Sequence, residues 1–350
     1  MLLKVEWLRG LLIFFAIATP WFVLVSLRNP EFPQFFFVYE HFERFLTTVH
    51  RREQPWWFFF PLLFGGFLPL AVVLLPACVA GWRRPARGGL EGHTGRTFSP
   101  NKFVLLYSLF ILLFFSKSGS KLPHYILPMF PVLALVIASY LRDADPRRLA
   151  WMVLPVFPLS LGGAYAASVG LAARGDQFSR PLYQEASVWA AAAIAAMGVG
   201  AIASFVLLRK QRKWLGILAL VLGTTATIQL LDRGYEKISP LQSAYALAES
   251  VRPHLTPETR LYSVGNYEQS LPFYIKRTLT LVDYIDEFKM GQMREPQKWI
   301  PKTSDFAAAW NASGPAIAII PHGDVDKMRA LGLSFDVIHK DSRRAAIKKN

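Results

Sequence analysis

Seven apolar runs set the outline of this 350-residue chain. They cover about residues 7–28, 56–82, 103–116, 124–141, 149–171, 187–208 and 214–231. A helix needs about 20 predominantly apolar residues to cross a bilayer, and these runs approach or reach that length. Composition agrees: 53% of residues are hydrophobic, and the mean hydropathy of +0.28 is too high for an ordinary soluble domain. The expected fold is a polytopic α-helical membrane protein with about seven transmembrane helices over 1–231. A small extracytoplasmic α/β domain is expected over 232–350. The first run is too long for a signal peptide and no small-residue cleavage site follows it, so it reads as a retained helix.

The net charge of +15 is concentrated in short loops beside the apolar runs. That pattern orients a membrane protein and argues against nucleic acid as a partner. One set of alternate loops carries Arg83, Arg84, Arg87, Arg96, Arg142, Arg147, Arg148, Arg209, Lys210, Arg212 and Lys213. The other set is poorer in Lys and Arg, so the first faces the cytoplasm. Seven crossings then place residues 232–350 outside, together with a Lys117–Lys121 turn. Cys78 is the only cysteine, which excludes a disulfide framework and a cysteine zinc site.

Residues 33–50 are predicted to form an amphipathic helix on the same outer surface. At α-helical spacing, Val38, Phe42, Phe45, Leu46 and Val49 share one side, and Glu40, His41, Glu43 and Arg44 the other. His41 and Arg44 are three apart and would share a face, where the guanidinium fork suits a phosphate. A divalent metal would use His41 with Glu40, although one histidine is a weak metal signal. A solvated polar face explains the same residues equally well.

The stretch Phe115-Ser-Lys-Ser-Gly-Ser-Lys-Leu-Pro-His-Tyr125 sets Lys117 and Lys121 among Ser118, Ser120 and Tyr125. Two cations and several hydroxyls at a membrane edge match a lipid-borne phosphate. They match interfacial anchors as well. Residues 241–251 and 324–331 read as helices, and 260–265, 271–275, 278–282, 316–320 and 335–338 as strands. No nucleotide-binding glycine motif, Ser-His-Asp constellation or HExxH is present. Glu40 and Glu43 are the only outer carboxylates to suggest as a base.

Several segments resemble the polyprenyl-phosphate-dependent membrane glycosyltransferases, the aminoarabinose lipid A transferases and their protein mannosyltransferase relatives. They are Tyr39-Glu-His-Phe-Glu-Arg-Phe45 with Pro55-Trp-Trp57, Lys121-Leu-Pro-His-Tyr125, and Gln269-Ser-Leu-Pro-Phe-Tyr274. The resemblance implies sugar transfer from a polyprenyl-phosphate carrier to an acceptor such as lipid A or a protein hydroxyl, at the bacterial inner membrane. It places Arg44, Lys117, Lys121 and Tyr125 around the carrier phosphate and sugar, and His41 by a metal or the phosphate. The chain matches the C-terminal half of such enzymes. Their catalytic acid belongs to an N-terminal half absent here, so a separate N-terminal half-protein is a candidate partner. The alternative is a non-catalytic membrane module that binds a lipid phosphate.

Overall fold

The computed structural model describes residues 6–43, 54–84, 99–285 and 288–350. The chain divides into two compact units, residues 1–155 with 201–220, and residues 156–200 with 221–350.

The first unit opens with α1 (Trp7–Arg28), then a π-helix over Gln34–Glu43. Next come α2 (Phe59–Gly66) and α3 (Ala71–Arg83), α4 (Pro100–Lys117), a short 3-10 turn (Pro123–Ile126), α5 (Met129–Asp143) and α6 (Pro146–Val153). Ser99 caps α4 by accepting from the Lys102 N–H, with Pro100 at the first helical position. Beyond it are α7 (Val156–Ala172), α8 (Arg180–Arg209) and α9 (Lys213–Ile238).

Five described helical segments are long and apolar enough to cross a membrane, and a sixth if the bent α2–α3 pair is one span. The expected count was about seven. The remaining run is the fourth, where a 3-10 turn at Pro123–Ile126 leaves α5 15 residues, short for a span by length alone although it runs from the Lys121 turn to the arginine-rich end. The second run breaks by 99° between Gly66 and Ala71. The broken pair nonetheless runs the full length of α5. Lys121 bonds Gln54 before α2, Phe67 stacks on Phe130 at 4.9 Å, and Arg84 after α3 bonds Ser139 and Asp143. The pair is therefore a broken span and not a re-entrant loop. Gly66 allows the close pass, since a Cβ there would stand 2.5 Å from the Phe130 ring.

These contacts also sort the loops of the first unit. Arg84 pairs with Asp143, Lys213 Nζ donates to the Arg142 and Ala144 carbonyls, and the Arg209 guanidinium lies 5.6 Å from the Trp151 ring. One end of the bundle thus collects the arginine-rich loops, and Lys121 occupies the other.

The second unit contains an α8–α9 contact in which Thr227 Oγ1 donates to the Ala193 carbonyl at 2.9 Å. It also contains a six-stranded sheet. Its strands are β1 (Arg260–Val264), β2 (Thr280–Val282), β3 (Trp299–Ile300), β4 (Ala316–Pro321), β5 (Phe335–Lys340) and β6 (Arg344–Lys349). The order is β3-β2-β1-β4-β6-β5, parallel through β4 and antiparallel beyond. Helices α10 (Tyr245–Val251), α11 (Leu271–Ile275), α12 (Lys289–Arg294), α13 (Thr303–Ala312) and α14 (Val325–Ala330) complete it. Phe306, Trp310 and Met328 pack one face of the sheet, and Leu247, Val251 and Leu271 the other.

Residues 271–275 were expected as a strand and form α11 instead. Pro272 falls in the first turn, where its fixed φ suits a helix, and Lys276 stops it at φ 56°. Strands β3 and β6 and helices α12 and α13 were not anticipated.

Candidate functional site

The turn between α4 and α5 folds around one cation. Lys121 keeps only 7% of its surface exposed, and Nζ donates to the Ser118 carbonyl at 2.7 Å and the Gln54 carbonyl at 2.9 Å. Ser118 Oγ donates to the Ser120 carbonyl at 2.9 Å and closes the turn. No carboxylate lies within 4.0 Å of Lys121 among the described residues. Burial lowers the Lys121 pKa, because desolvation penalises the charged form. Two carbonyls use two of the three ammonium N–H groups and orient them without cancelling the charge. The buried hydroxyls of Ser116 and Ser120 have no hydrogen-bond partner among the described residues. A buried cation with one spare N–H, in a turn whose flanking residues carry two orphaned hydroxyls, offers donors and charge to an anion.

Tyr125 is half-buried, its ring 4.9 Å from Phe115, at the edge of the same turn. Lys117 ends α4 and is exposed; no described contact ties it to the Lys121 cage. Arg44 lies outside the described residues. The sequence pointed to Lys121, Ser118 and Ser120 but missed Ser116 and Gln54. Gln54 acts through its backbone carbonyl, which leaves no side-chain signal to read.

His41 and Glu40 sit on the π-helix and not on an α-helix. Phe32 stacks on Phe36 at 5.3 Å and Phe35 on Tyr39 at 5.9 Å, and the His41 ring Nδ1 bonds the Phe36 carbonyl five residues back at 2.6 Å. A π-helix bonds i to i+5, so three-residue spacing no longer sets side chains on one face over 34–43. The remainder of the expected helix, 44–50, lies outside the described residues. The bond at Nδ1 leaves His41 Nε2 available, but no three His, Cys, Asp or Glu side chains among the described residues are grouped to hold a metal ion, so the metal that His41 and Glu40 suggested is not shown.

The α/β domain carries a second charge cluster. Arg344 is fully buried and binds Glu268 at 2.9 Å and Asp341 at 2.9 Å, with the Pro240 and Ser243 carbonyls at 3.3 and 3.1 Å. Arg343 joins the Leu241 carbonyl at 2.7 Å to Glu268 at 3.3 Å. Burial would raise the Asp341 carboxyl. Hydrogen bonds from His339, the Arg343 N–H and Arg344 outweigh it and hold the group well below the usual carboxylate range.

Residues 247–349 match the aminoarabinose transferase C-terminal domain. An undecaprenyl phosphate-α-4-amino-4-deoxy-L-arabinose arabinosyl transferase of Pseudomonas fluorescens is 35% identical over 136 residues, covering 39% of this chain and 21% of that protein. One from Yersinia pestis is 31% identical over 204 residues, covering 57% of this chain and 35% of its own. The fold extends the likeness to the whole chain. The crystal structure of ArnT from Cupriavidus metallidurans bound to undecaprenyl phosphate superposes with a TM-score of 0.82 at 31% identity, over 97% of this chain and 60% of that one. These likenesses are all to aminoarabinose transferases, of which the chain spans only a part. Its matches to the two arabinosyl transferases span about a fifth to a third of their length.

Proposed function

We propose that this chain forms the carrier-binding part of a glycosyltransferase of the bacterial inner membrane. The enzyme moves a sugar from a polyprenyl-phosphate carrier to an extracytoplasmic acceptor such as lipid A. The observation that carries the reading is Lys121: a buried ammonium with no carboxylate partner among the described residues, in a chain that superposes on a protein bound to undecaprenyl phosphate. The donor is the polyprenyl-phosphate-linked sugar, and the α/β domain faces the extracytoplasmic side.

Transfer breaks the bond between the sugar and the phosphate oxygen. The sugar carbon forms a new bond to the acceptor oxygen, the electron pair of the broken bond stays on the carrier phosphate, and the proton lost by the acceptor hydroxyl balances the negative charge that the phosphate gains. Lys121 stands where that growing charge is favoured, and its partial desolvation strengthens the attraction. Ser116 and Ser120 supply hydroxyl donors, and Tyr125 and Lys117 are the further candidates of the same turn for the carrier and sugar. Arg44 extends this reading beyond the described residues.

The test gives the chain, in lipid nanodiscs, undecaprenyl phosphate and then its aminoarabinose-linked form with lipid A. Saturable carrier binding is expected, with no sugar-modified lipid A from the chain alone. Transfer by the chain alone would overturn the reading of a carrier-binding part, and absence of binding would reject both that reading and the non-catalytic lipid-phosphate module.

A further inference from the structure

At the arginine-rich end of the first unit, α3 and α4 enclose a groove of about 420 Å3. Cys78, Val79, Trp82 and Arg83 form one wall, and Leu105, Leu106 and Leu109 the other. From Arg83 down to Cys78 the trough is about 7.5 Å deep along the helix, with an apolar floor. Its mouth differs from the floor. Lys102 Nζ stands 5.6 Å from the Trp82 ring centroid, and Lys102 and Arg83 are both exposed. Neither has a carboxylate within 4.0 Å among the described residues, whereas the adjacent Arg84 is neutralised by Asp143 at 2.9 Å. Two uncancelled cations and an interfacial tryptophan thus rim a short apolar slot.

We propose that this groove binds an anionic phospholipid of the leaflet on the arginine-rich side. Arg83 and Lys102 hold its phosphate, and the slot takes the first carbons of an acyl chain. Charge complementarity fixes the occupant: a zwitterionic lipid brings its own cation beside Arg83 and Lys102 and leaves one positive charge in excess, and a free phosphate leaves the slot empty. The long stems of Arg83 and Lys102 lie along apolar surface while their heads reach the headgroup layer. Basic pockets between spans on the cytoplasmic side suit anionic headgroups, and each basic residue contributes about a fivefold preference. Lys102 and Lys121 flank opposite ends of α4, so this site is separate from the carrier site.

Cys78, the only cysteine of the chain, lines the slot and reports its occupancy. The full chain is placed in nanodiscs of phosphatidylcholine, with or without phosphatidylglycerol, and reacted with a membrane-permeant maleimide. Phosphatidylglycerol is expected to slow Cys78 alkylation about fivefold or more. The Arg83→Gln/Lys102→Gln variant should react at the phosphatidylcholine rate, and Lys102→Arg should keep the protection. Equal rates in the two lipids, or protection that survives in the double variant, would overturn the proposal. So would protection by undecaprenyl phosphate but not by phosphatidylglycerol at the same mole fraction, which would give the groove to the carrier. Where the double variant fails to fold by circular dichroism, Lys102→Gln is read by native mass spectrometry. Fewer retained phosphatidylglycerol molecules are expected, and an unchanged number would overturn the proposal.

Discussion

Lys121 and Arg344 are both buried cations, and their surroundings treat the charge in opposite ways. Arg344 lies between Glu268 and Asp341, with the Pro240 and Ser243 carbonyls accepting from Nη2. Lys121 has the Ser118 and Gln54 carbonyls and no carboxylate among the described residues. A carbonyl satisfies an N–H and leaves the positive charge standing, whereas a carboxylate removes both needs at once. The Arg344 cluster is therefore closed. It ties Pro240, Leu241 and Ser243, the segment that follows α9, to the end of β1 and the start of β6. The Lys121 turn is open in charge, which is what an anionic ligand requires.

The largest effect should come from opening the closed cluster. Arg344→Met leaves the buried Glu268 with Arg343 alone and takes the guanidinium from Asp341, and should destabilise the α/β domain by about 3–5 kcal/mol. Faster hydrogen exchange in β4 and β6 is the readout; a change under about 1 kcal/mol would show that the cluster does not hold the domain. Glu268→Gln keeps the shape and one acceptor but removes a charge that Arg343 and Arg344 share. A smaller loss of about 1–3 kcal/mol is expected from the same measurement.

Acid should open the cluster more gently. The folded Asp341 carboxyl titrates well below its unfolded value. Its stabilisation is therefore complete above the unfolded pKa of about 3.9 and drains away as pH falls below it. Asp341→Asn should flatten the acid limb of a stability–pH curve and leave its neutral slope unchanged. An unchanged acid limb would assign the transition to other carboxylates.

The spans and their orientation were legible because a bilayer demands long apolar runs and loop charge reports side. Structure then gathers Arg84, Arg142, Arg209 and Lys213 at one end, as the loop charges imply. Local exceptions were harder to read. The π-helix is one: its aromatic pairs Phe32–Phe36 and Phe35–Tyr39 are four apart, a spacing that reads as an ordinary α-helix. Strand β6 reads Arg-Ala-Ala-Ile-Lys-Lys, a charged tail by composition. Pairing with β4 and β5 buries its first four residues, Arg344 among them, and only that tertiary pairing brings Arg344 to Glu268. At the candidate site the sequence displayed the lysine and serines. It did not display which lysine is buried, because Gln54 meets Lys121 across 67 residues.

The most direct test is a titration of undecaprenyl phosphate into nanodiscs carrying the chain, its Lys121→Met variant and its Lys117→Met variant. Lys121→Met should weaken binding about tenfold, or about 1.4 kcal/mol, at unchanged helical content. Lys117→Met should change it less than threefold, or about 0.6 kcal/mol. Equal affinity for the wild type and Lys121→Met would contradict the assignment of the buried ammonium to the carrier phosphate.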